Sequence, residues 1–267
     1  MSTPVAVVPA AGRGTRLLPF TKAVPKELLP LGTVPALQYV LAEIDRSGLS
    51  EVLLVVSPEK EALRRFVTPD ELPKNAPPEL RALEELLARL TIRFVIQEEP
   101  LGLGHAVGLA MAEAKGRTAA VLLPDEVYPT PGSGLERLLS RGGGDFRILL
   151  REVPEDEVSR FGIVAGEEEA GEVRVHALVE KPSPEEAPSQ LAIMGRYLLP
   201  PSILPYLEEL RPGAGGELQL TDALHALVQA GEPLTGVVED APRLDLGDPK
   251  GLLASLAFFV ARASSPR

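Results

Sequence analysis

Two glycines and four cations crowd one short stretch of the chain: Gly12, Arg13, Gly14, Arg16, Lys22 and Lys26. The chemistry they suit is the holding of phosphate. Glycine lets the backbone turn tightly and brings amide N–H groups close to a ligand. Successive N–H groups with nearby guanidinium and ammonium donors make an anion site. Two common phosphate loops do not fit. No G-x-x-x-x-G-K-[ST] run exists, so this is not a Walker A loop. A dinucleotide fingerprint needs a third small residue where Leu17 stands. An ordinary strand-to-loop turn would use the same G-x-G, so the glycines alone decide nothing. Their continuation, T-K-A-V-P-K-E-L-L-P over 21–30, adds Lys22 and Lys26 in a loop braced by Pro19, Pro25 and Pro30. A stiff loop loses little entropy when it orders around a ligand.

Other reactive side chains are scattered. Asp125 follows V-L-L-P at the C-terminal end of an expected buried strand. Open α/β sheets bind ligands at such ends, although a turn or helix cap would read the same way. Asp245 sits in L-D-L-G, which is also a common turn. Glu180 and Lys181 close a strand before Pro182, where a solvated ion pair is the plain alternative. Gln97 ends another strand and offers both a donor and an acceptor. His105 reads as structural or as a helix-end contact, and His176 and His225 have no metal-ligand spacing. Cysteine is absent, which excludes disulfides, thiolate nucleophiles and Cys-ligated zinc.

These residues need a frame, and the first half of the chain alternates strand and helix patterns. Strands are expected at 5–9, 51–56, 92–97 and 118–123. Helices are expected at 35–47, stopped by Gly48, at 58–66, around Leu80 to Leu90, and at 105–115. Residues 68–78 are proline-rich and read as a loop. Beyond Asp145, strands at 147–153, 161–165, 172–180 and 191–198 follow one another, then helices at 202–210, 221–230 and 249–263. The β-α-β-α order predicts a mostly parallel sheet with helices on both faces. No linker interrupts the chain, so the second half reads as an elaboration of the same sheet.

The bulk numbers fit a globular α/β chain of this size. At 267 residues and 45% apolar composition the chain can bury a large core. A net charge of −11 argues against sequence-independent nucleic-acid binding. There is neither a signal-peptide pattern nor an apolar run of about 18 residues, so no membrane association and a cytoplasmic location are expected. The 27 prolines, 3 methionines and single asparagine, Asn75, fit a thermophilic source or high-GC codon bias equally.

The G-x-G-T-R run at 12–16 followed by K-A-V-P-K-E-L-L-P at 22–30 resembles the signature of the nucleoside-diphosphate-sugar pyrophosphorylases. Within them the chain is most similar to the bacterial UTP–glucose-1-phosphate uridylyltransferases. Further segments match in order: G-L-G-H-A-V at 102–107, L-P-D at 123–125, F-G-I-V at 161–164 and V-E-K-P at 179–182. L-A-I-M-G-R-Y at 191–197, P-G-A-G-G-E-L-Q-L-T-D at 212–222 and L-D-L-G at 244–247 complete the series. The family usually carries Tyr where Phe161 stands and Asn where Gln190 stands, and the chain is shorter than typical members around 68–78.

The resemblance implies a Rossmann-like three-layer α/β/α fold with a mostly parallel mixed sheet. It implies one nucleotidyltransferase domain, with residues 1–145 holding nucleotide and 146–267 holding sugar phosphate. The implied substrates are UTP and glucose 1-phosphate, and the implied products UDP-glucose and pyrophosphate. Lys26 would meet the phosphates, Arg16 the outer phosphates, and Asp125 and Asp245 would hold Mg2+. Arg13 and Lys22 carry weaker expectations. Ala10, Ala11, Gly12, Gly14, Thr15, Gln97 and Gly102 would contact the nucleotide. Gly162, Glu180, Lys181 and Glu217 would receive the sugar phosphate. A homodimer or homotetramer is expected. A thymidylyltransferase of the same family is the nearer rival reading, and a non-catalytic paralogue that binds nucleotide sugar the more distant one.

Overall fold

Alternation decides most of the architecture. Along β1 (Val5–Pro9), Val5 and Val7 fall in one apolar cluster and Ala6 and Val8 in another. Neighbouring side chains of a strand point to opposite faces, so a strand buried throughout must be covered on both. The computed structural model, which describes residues 3–140, 144–169 and 171–263, carries that pattern through the chain.

After β1 come the short strands β2 (Pro30–Leu31) and β3 (Val34–Pro35), then α1 (Ala36–Arg46). β4 (Glu51–Val56), α2 (Glu61–Phe66), α3 (Pro78–Leu87), β5 (Thr91–Ile96), α4 (Leu103–Glu113) and β6 (Ala119–Leu122) follow. β7 (Glu126–Val127), α5 (Leu135–Ser140), β8 (Arg147–Glu152), β9 (Gly162–Glu169), β10 (Glu172–Glu180) and β11 (Leu191–Leu199) come next. The chain closes with α6 (Leu204–Glu208), α7 (Leu220–Gln229), β12 (Leu234–Val238), β13 (Leu244–Asp245) and α8 (Pro249–Ala263).

Nine strands form one sheet in the order β5-β4-β1-β6-β11-β8-β12-β10-β9. Only β11 and β10 run against the others, so the sheet is mixed and mostly parallel. Strands from both halves of the chain share it. On one face lie α1, α3 and α5, which bury Leu37, Val40, Leu41 and Ile44, then Leu83, Leu86 and Leu87, then Leu135 and Leu138. On the other lie α4, α6 and α7, with Ala106, Val107, Ala110, Leu207, Leu220, Leu224 and Leu227. The spacing in α1 is the i, i+3, i+4, i+7 stripe of an amphipathic helix. Each such leucine contributes about 1.5–3 kcal/mol on full burial. The result is the three-layer α/β/α fold that the sequence predicts.

Several boundaries differ. The helix expected at 58–66 begins only at Glu61, because Lys60 turns back through its N–H to Ser57 O at 3.2 Å. The strand expected at 161–165 runs on to Glu169, its acidic end carried by pairing with β10, Glu167 opposite Arg174. The helix expected at 202–210 is a 3-10 turn, Pro201–Ile203, followed by the short α6. β12 and α5 were not expected at all. No helix among the described residues is long and apolar enough to cross a membrane.

Candidate functional site

The C-terminal ends of β1, β5 and β6 open onto a cleft of about 400 Å3. Leaving β1, the chain enters the glycine-rich loop, which the buried Leu17 and Leu29 anchor into the core. From Leu18 to Val24 the loop lies at or near the surface. Thr21 Oγ1 donates to Gly14 O at 2.8 Å and holds the first turn closed. Ala11, Gly12, Gly14, Thr15 and Arg16 line the cleft, and so does Arg13. Ala10 does not: it is wholly buried and its N–H is spent on Val55 O at 2.7 Å. Lys22 is exposed and lies off the lining. Arg13 and Arg16 stand exposed, held by no hydrogen bond or ion pair among the described residues.

Lys26 opens a 3-10 turn, Lys26–Leu28, and reaches across the cleft floor to Asp125 Oδ2 at 2.5 Å. Burial alone would pull the Lys26 ammonium down, but the carboxylates of Asp125, Glu27 and Asp245 outweigh it and hold the group above its ordinary value. For Asp125, burial pushes upward, and Lys26 with a backbone N–H overcomes it, so the carboxyl sits below its ordinary value. Both groups are therefore charged at neutral pH. The residue after Lys26, Glu27, is fully buried and takes the Lys60 ammonium on both oxygens at 2.9 Å. Burial raises the Glu27 carboxyl and lowers the Lys60 amine, each opposed by the other. This pair ties the Lys26 loop to the start of α2. Nothing in the local sequence pattern marks it.

On the opposite wall, Gln97 extends β5 by one residue and is 3% exposed. Its Nε2 lies 3.2 Å from Gly102 O and 2.9 Å from His105 Nδ1. Gly102 has φ 121, and a Cβ there would stand 2.7 Å from both N and O of Leu218. Only glycine admits that approach. Leu218 in turn receives Gly104 N and donates to Leu101 O, each at 2.8 Å. The same contact brings Glu217 onto the cleft wall beside Gly102, on the Gln97 side and not beside Glu180.

Asp245 approaches from β13. Gly247 lies on the cleft lining, and a Cβ on it would meet Asp245 Oδ1 at 3.0 Å and Asp125 Oδ2 at 3.7 Å. The two carboxylates thus flank one small space that glycine leaves open. Among the described residues no group of three or more His, Asp or Glu could hold a metal by itself. Two carboxylates suit a cation that completes its shell with substrate phosphate and water, the usual arrangement for Mg2+. Asp245 is steadied by its own contacts. Oδ1 accepts Gly247 N at 2.7 Å, and Oδ2 faces Arg243 at 3.3 Å and Arg160 at 3.6 Å. Arg243 Nη1 also lies 2.8 Å from Glu126 Oε2, near enough for an ion pair but out of line for a hydrogen bond. Both guanidinium groups lie over the Phe161 ring at 5.5 and 5.4 Å, so an aromatic without a hydroxyl serves as their platform. Arg243 stands only two residues before Asp245, so the R-L-D run at 243–245 carried the signal for it.

Glu180, Lys181 and Gly162 gather beyond the lining of the cleft. Thr221 Oγ1 donates to Glu180 Oε2 at 2.6 Å, and Lys181 Nζ meets Glu180 Oε1 at 2.9 Å. Strict alternation would send neighbouring side chains to opposite faces. Lys181 escapes it through a left-handed φ of 47 immediately after the strand. A Cβ on Gly162 would stand 2.9 Å from Thr221 Oγ1 and 3.1 Å from Glu180 Oε2, so the glycine leaves room for this cluster.

The chain matches the family profile described as Nucleotidyl transferase over residues 5–261. It is 39% identical to the UTP–glucose-1-phosphate uridylyltransferase YngB of Bacillus subtilis strain 168, over 92% of this chain and 86% of that protein. It is 39% identical to the UTP–glucose-1-phosphate uridylyltransferase of Mycoplasma pneumoniae, over 97% of this chain and 93% of that one. A crystal structure of UDP-glucose pyrophosphorylase complexed with UDP-glucose superposes with a TM-score of 0.91 at 31% identity, covering 98% of this chain and all of the other.

Proposed function

The chain belongs to the nucleotidyl transferase family, and from that premise we propose that it transfers a uridylyl group from UTP to glucose 1-phosphate, giving UDP-glucose and pyrophosphate. An oxygen of the sugar phosphate attacks the α-phosphorus of UTP in line, and the β- and γ-phosphates leave as pyrophosphate. The attacking oxygen is already an anion at neutral pH, so the reaction needs no general base. What it needs is alignment and neutralised charge.

The chain acts as one nucleotidyltransferase unit. Residues 1–145 hold the nucleotide, and 146–267 hold the sugar phosphate. The N–H groups of residues 11–15 face the triphosphate, and Arg16 neutralises the outer phosphates that depart. Lys26 meets the transferring phosphate and stabilises the charge that builds there. Gln97 and Gly102 border the base. Glu180 bonds sugar hydroxyls in an orientation fixed by Thr221, and Lys181 holds the sugar's phosphate. Asp125 and Asp245 hold a divalent cation, Mg2+. Bound there, it would supply positive charge to offset that of the reacting phosphates.

One observation carries this reading: the Lys26–Asp125 pair on the floor of a cleft whose wall is the glycine-rich loop. In that pair each charge offsets the other, and the lysine suits a phosphate while the aspartate suits a cation. The test is pyrophosphate release across a matrix of nucleoside triphosphates and hexose 1-phosphates, with and without Mg2+. UTP with glucose 1-phosphate and Mg2+ is expected to be the fastest pair, and a clear preference for dTTP would overturn the uridylyl assignment.

A further inference from the structure

Charges of alternating sign run down from the floor of the cleft: Asp125, Lys26, Glu27 and Lys60. Lys26 Nζ lies 2.5 Å from Asp125 Oδ2, and Lys60 Nζ lies 2.9 Å from both oxygens of Glu27. The two pairs are joined in sequence, since Glu27 follows Lys26 in one 3-10 turn. They are joined by charge as well. Burial lowers both ammonium groups; Asp125 and then Glu27 hold Lys26 up against it, while Lys26 adds to the lowering of Lys60. The reaction uses Lys26 and Asp125 but has no task for Glu27, which is wholly buried. A carboxylate cut off from water needs a cation. Among the described residues Lys60 is the one side chain that hydrogen-bonds it. The neighbouring cation is Lys26, which lines the cleft. Lys60 is itself held in place at the start of α2. Its N–H bonds Ser57 O at 3.2 Å, its carbonyl accepts Leu63 N at 3.1 Å, and its side chain is 11% exposed.

We propose that Lys60 is a positioning residue: by binding both oxygens of Glu27 it keeps that carboxylate from capturing Lys26, and so leaves the lysine to the cleft. The proposal rests on the phosphate-binding role given to Lys26 above. Without Lys60, a buried carboxylate would face the ammonium next to it in sequence, with Asp125 as its rival. A Lys26 drawn down onto Glu27 loses its reach toward phosphate. The harm comes from the carboxylate set loose, and not from the loss of a brace. The two cases part when both members of the pair are removed. A brace is lost either way, whereas no guard is needed once Glu27 has gone.

The experiment compares wild type with Lys60→Met, Lys60→Arg and the double variant Glu27→Leu with Lys60→Met. It reads kcat with UTP, glucose 1-phosphate and Mg2+, and affinity for UTP by calorimetric titration without sugar phosphate. Lys60→Met is expected to lose at least about tenfold in both, since a preorganised charge at the phosphates is displaced. Lys60→Arg keeps a cation on Glu27 and is expected to stay within about threefold of wild type. The double variant is expected to recover to within about threefold, because apolar replacement of a buried pair is often neutral to the fold. A Lys60→Met protein like wild type, or a double variant as impaired as the single one, would overturn the proposal. Urea unfolding identifies any variant that is not folded. Should Lys60→Met be one, Lys60→Gln, which keeps a donor without the charge, takes its place with a loss of at least about threefold expected. Failure of the proposed reaction reads differently. Absent turnover with the same order of UTP affinities removes the reaction and keeps the guard. Absent UTP binding by wild type removes the phosphate role of Lys26, and the guard with it.

Discussion

Lys26 and Asp125 come from positions 99 residues apart and meet at 2.5 Å. Sequence motifs bring each to notice separately, but their pairing depends on where β1 and β6 end. They are neighbours in the sheet, in register from Val5 opposite Ala119 to Val7 opposite Val121, so their C-terminal loops face the same cleft. Removing either charge removes a preorganised part of the site. Lys26→Ala and Asp125→Ala are each expected to lower kcat by at least ~10²-fold, the usual cost of one such group. Initial rates of pyrophosphate release measure this, and near-normal turnover in both would refute the mechanism. Around this pair, Asp245, Glu180 and Lys181 could be named from motif spacing. Their supports could not: Thr221 on Glu180, Arg160 at Asp245, and Lys60 on Glu27 are fixed by tertiary approach alone. Ala10 follows β1 directly, and its N–H is still spent on Val55 of the neighbouring strand, which keeps it off the cleft lining.

At the level of elements, periodicity served best where one element buries one clear face. β10 and α8 have the bounds that alternation and composition predict. β12 escaped because L-T-G-V-V is short and carries a glycine, and its burial comes from its neighbours β8 and β10. β7 and β13 are two residues each and exist only as a pair, yet they deliver Glu126 and Asp245 to the site. The start of α8 bears on the same place. Asp248 precedes Pro249, its Oδ1 accepts Gly251 N at 2.9 Å, and its Oδ2 takes Arg160 at 2.7 Å. It is an N-cap that also anchors a neighbour of Asp245. The Gly251 N–H, and after it Arg160, hold the Asp248 carboxyl below its ordinary value. A depressed carboxyl contributes stability above its unfolded value of about 3.9, and that contribution is lost as pH falls through the lower folded value. Asp248→Ala is therefore expected to cost about 1 kcal/mol at pH 7. The gap to wild type should narrow as the pH drops toward about 3. Urea unfolding at both pH values tests this, and a gap of constant size would argue that Asp248 acts without its charge.

Taken whole, the molecule joins its two halves through Arg196, a side chain inside the L-A-I-M-G-R-Y segment to which the motif assigned no role. Arg196 on β11 is fully buried, and each of its five N–H groups has an acceptor. Nε and Nη2 grip the carboxylate of Glu43 on α1 at 2.8 and 2.7 Å. Nη1 reaches Leu123 O and Gly195 O, and Nη2 also reaches Glu126 O. Glu43 Oε1 accepts Leu135 N at 2.6 Å, which draws in α5. Leu123 and Glu126 bracket Asp125, so the residue that ties the first half to the second also fixes the turn that carries Asp125. Two consequences can be separated. Glu43→Gln strips the charge that compensates a buried guanidinium and is expected to cost about 3–5 kcal/mol of stability. Pairing Glu43→Leu with Arg196→Met removes both charges and is expected to recover much of that loss, since apolar replacements of a buried pair are often neutral. The carbonyls on either side of Asp125 would still lack their donor, so the double variant is expected to regain its unfolding midpoint while kcat stays depressed. Denaturant unfolding and initial rates on the same samples decide it. Recovery of both would mean that Arg196 serves the fold alone, and that the Asp125 turn is held by β6 and β7 without it.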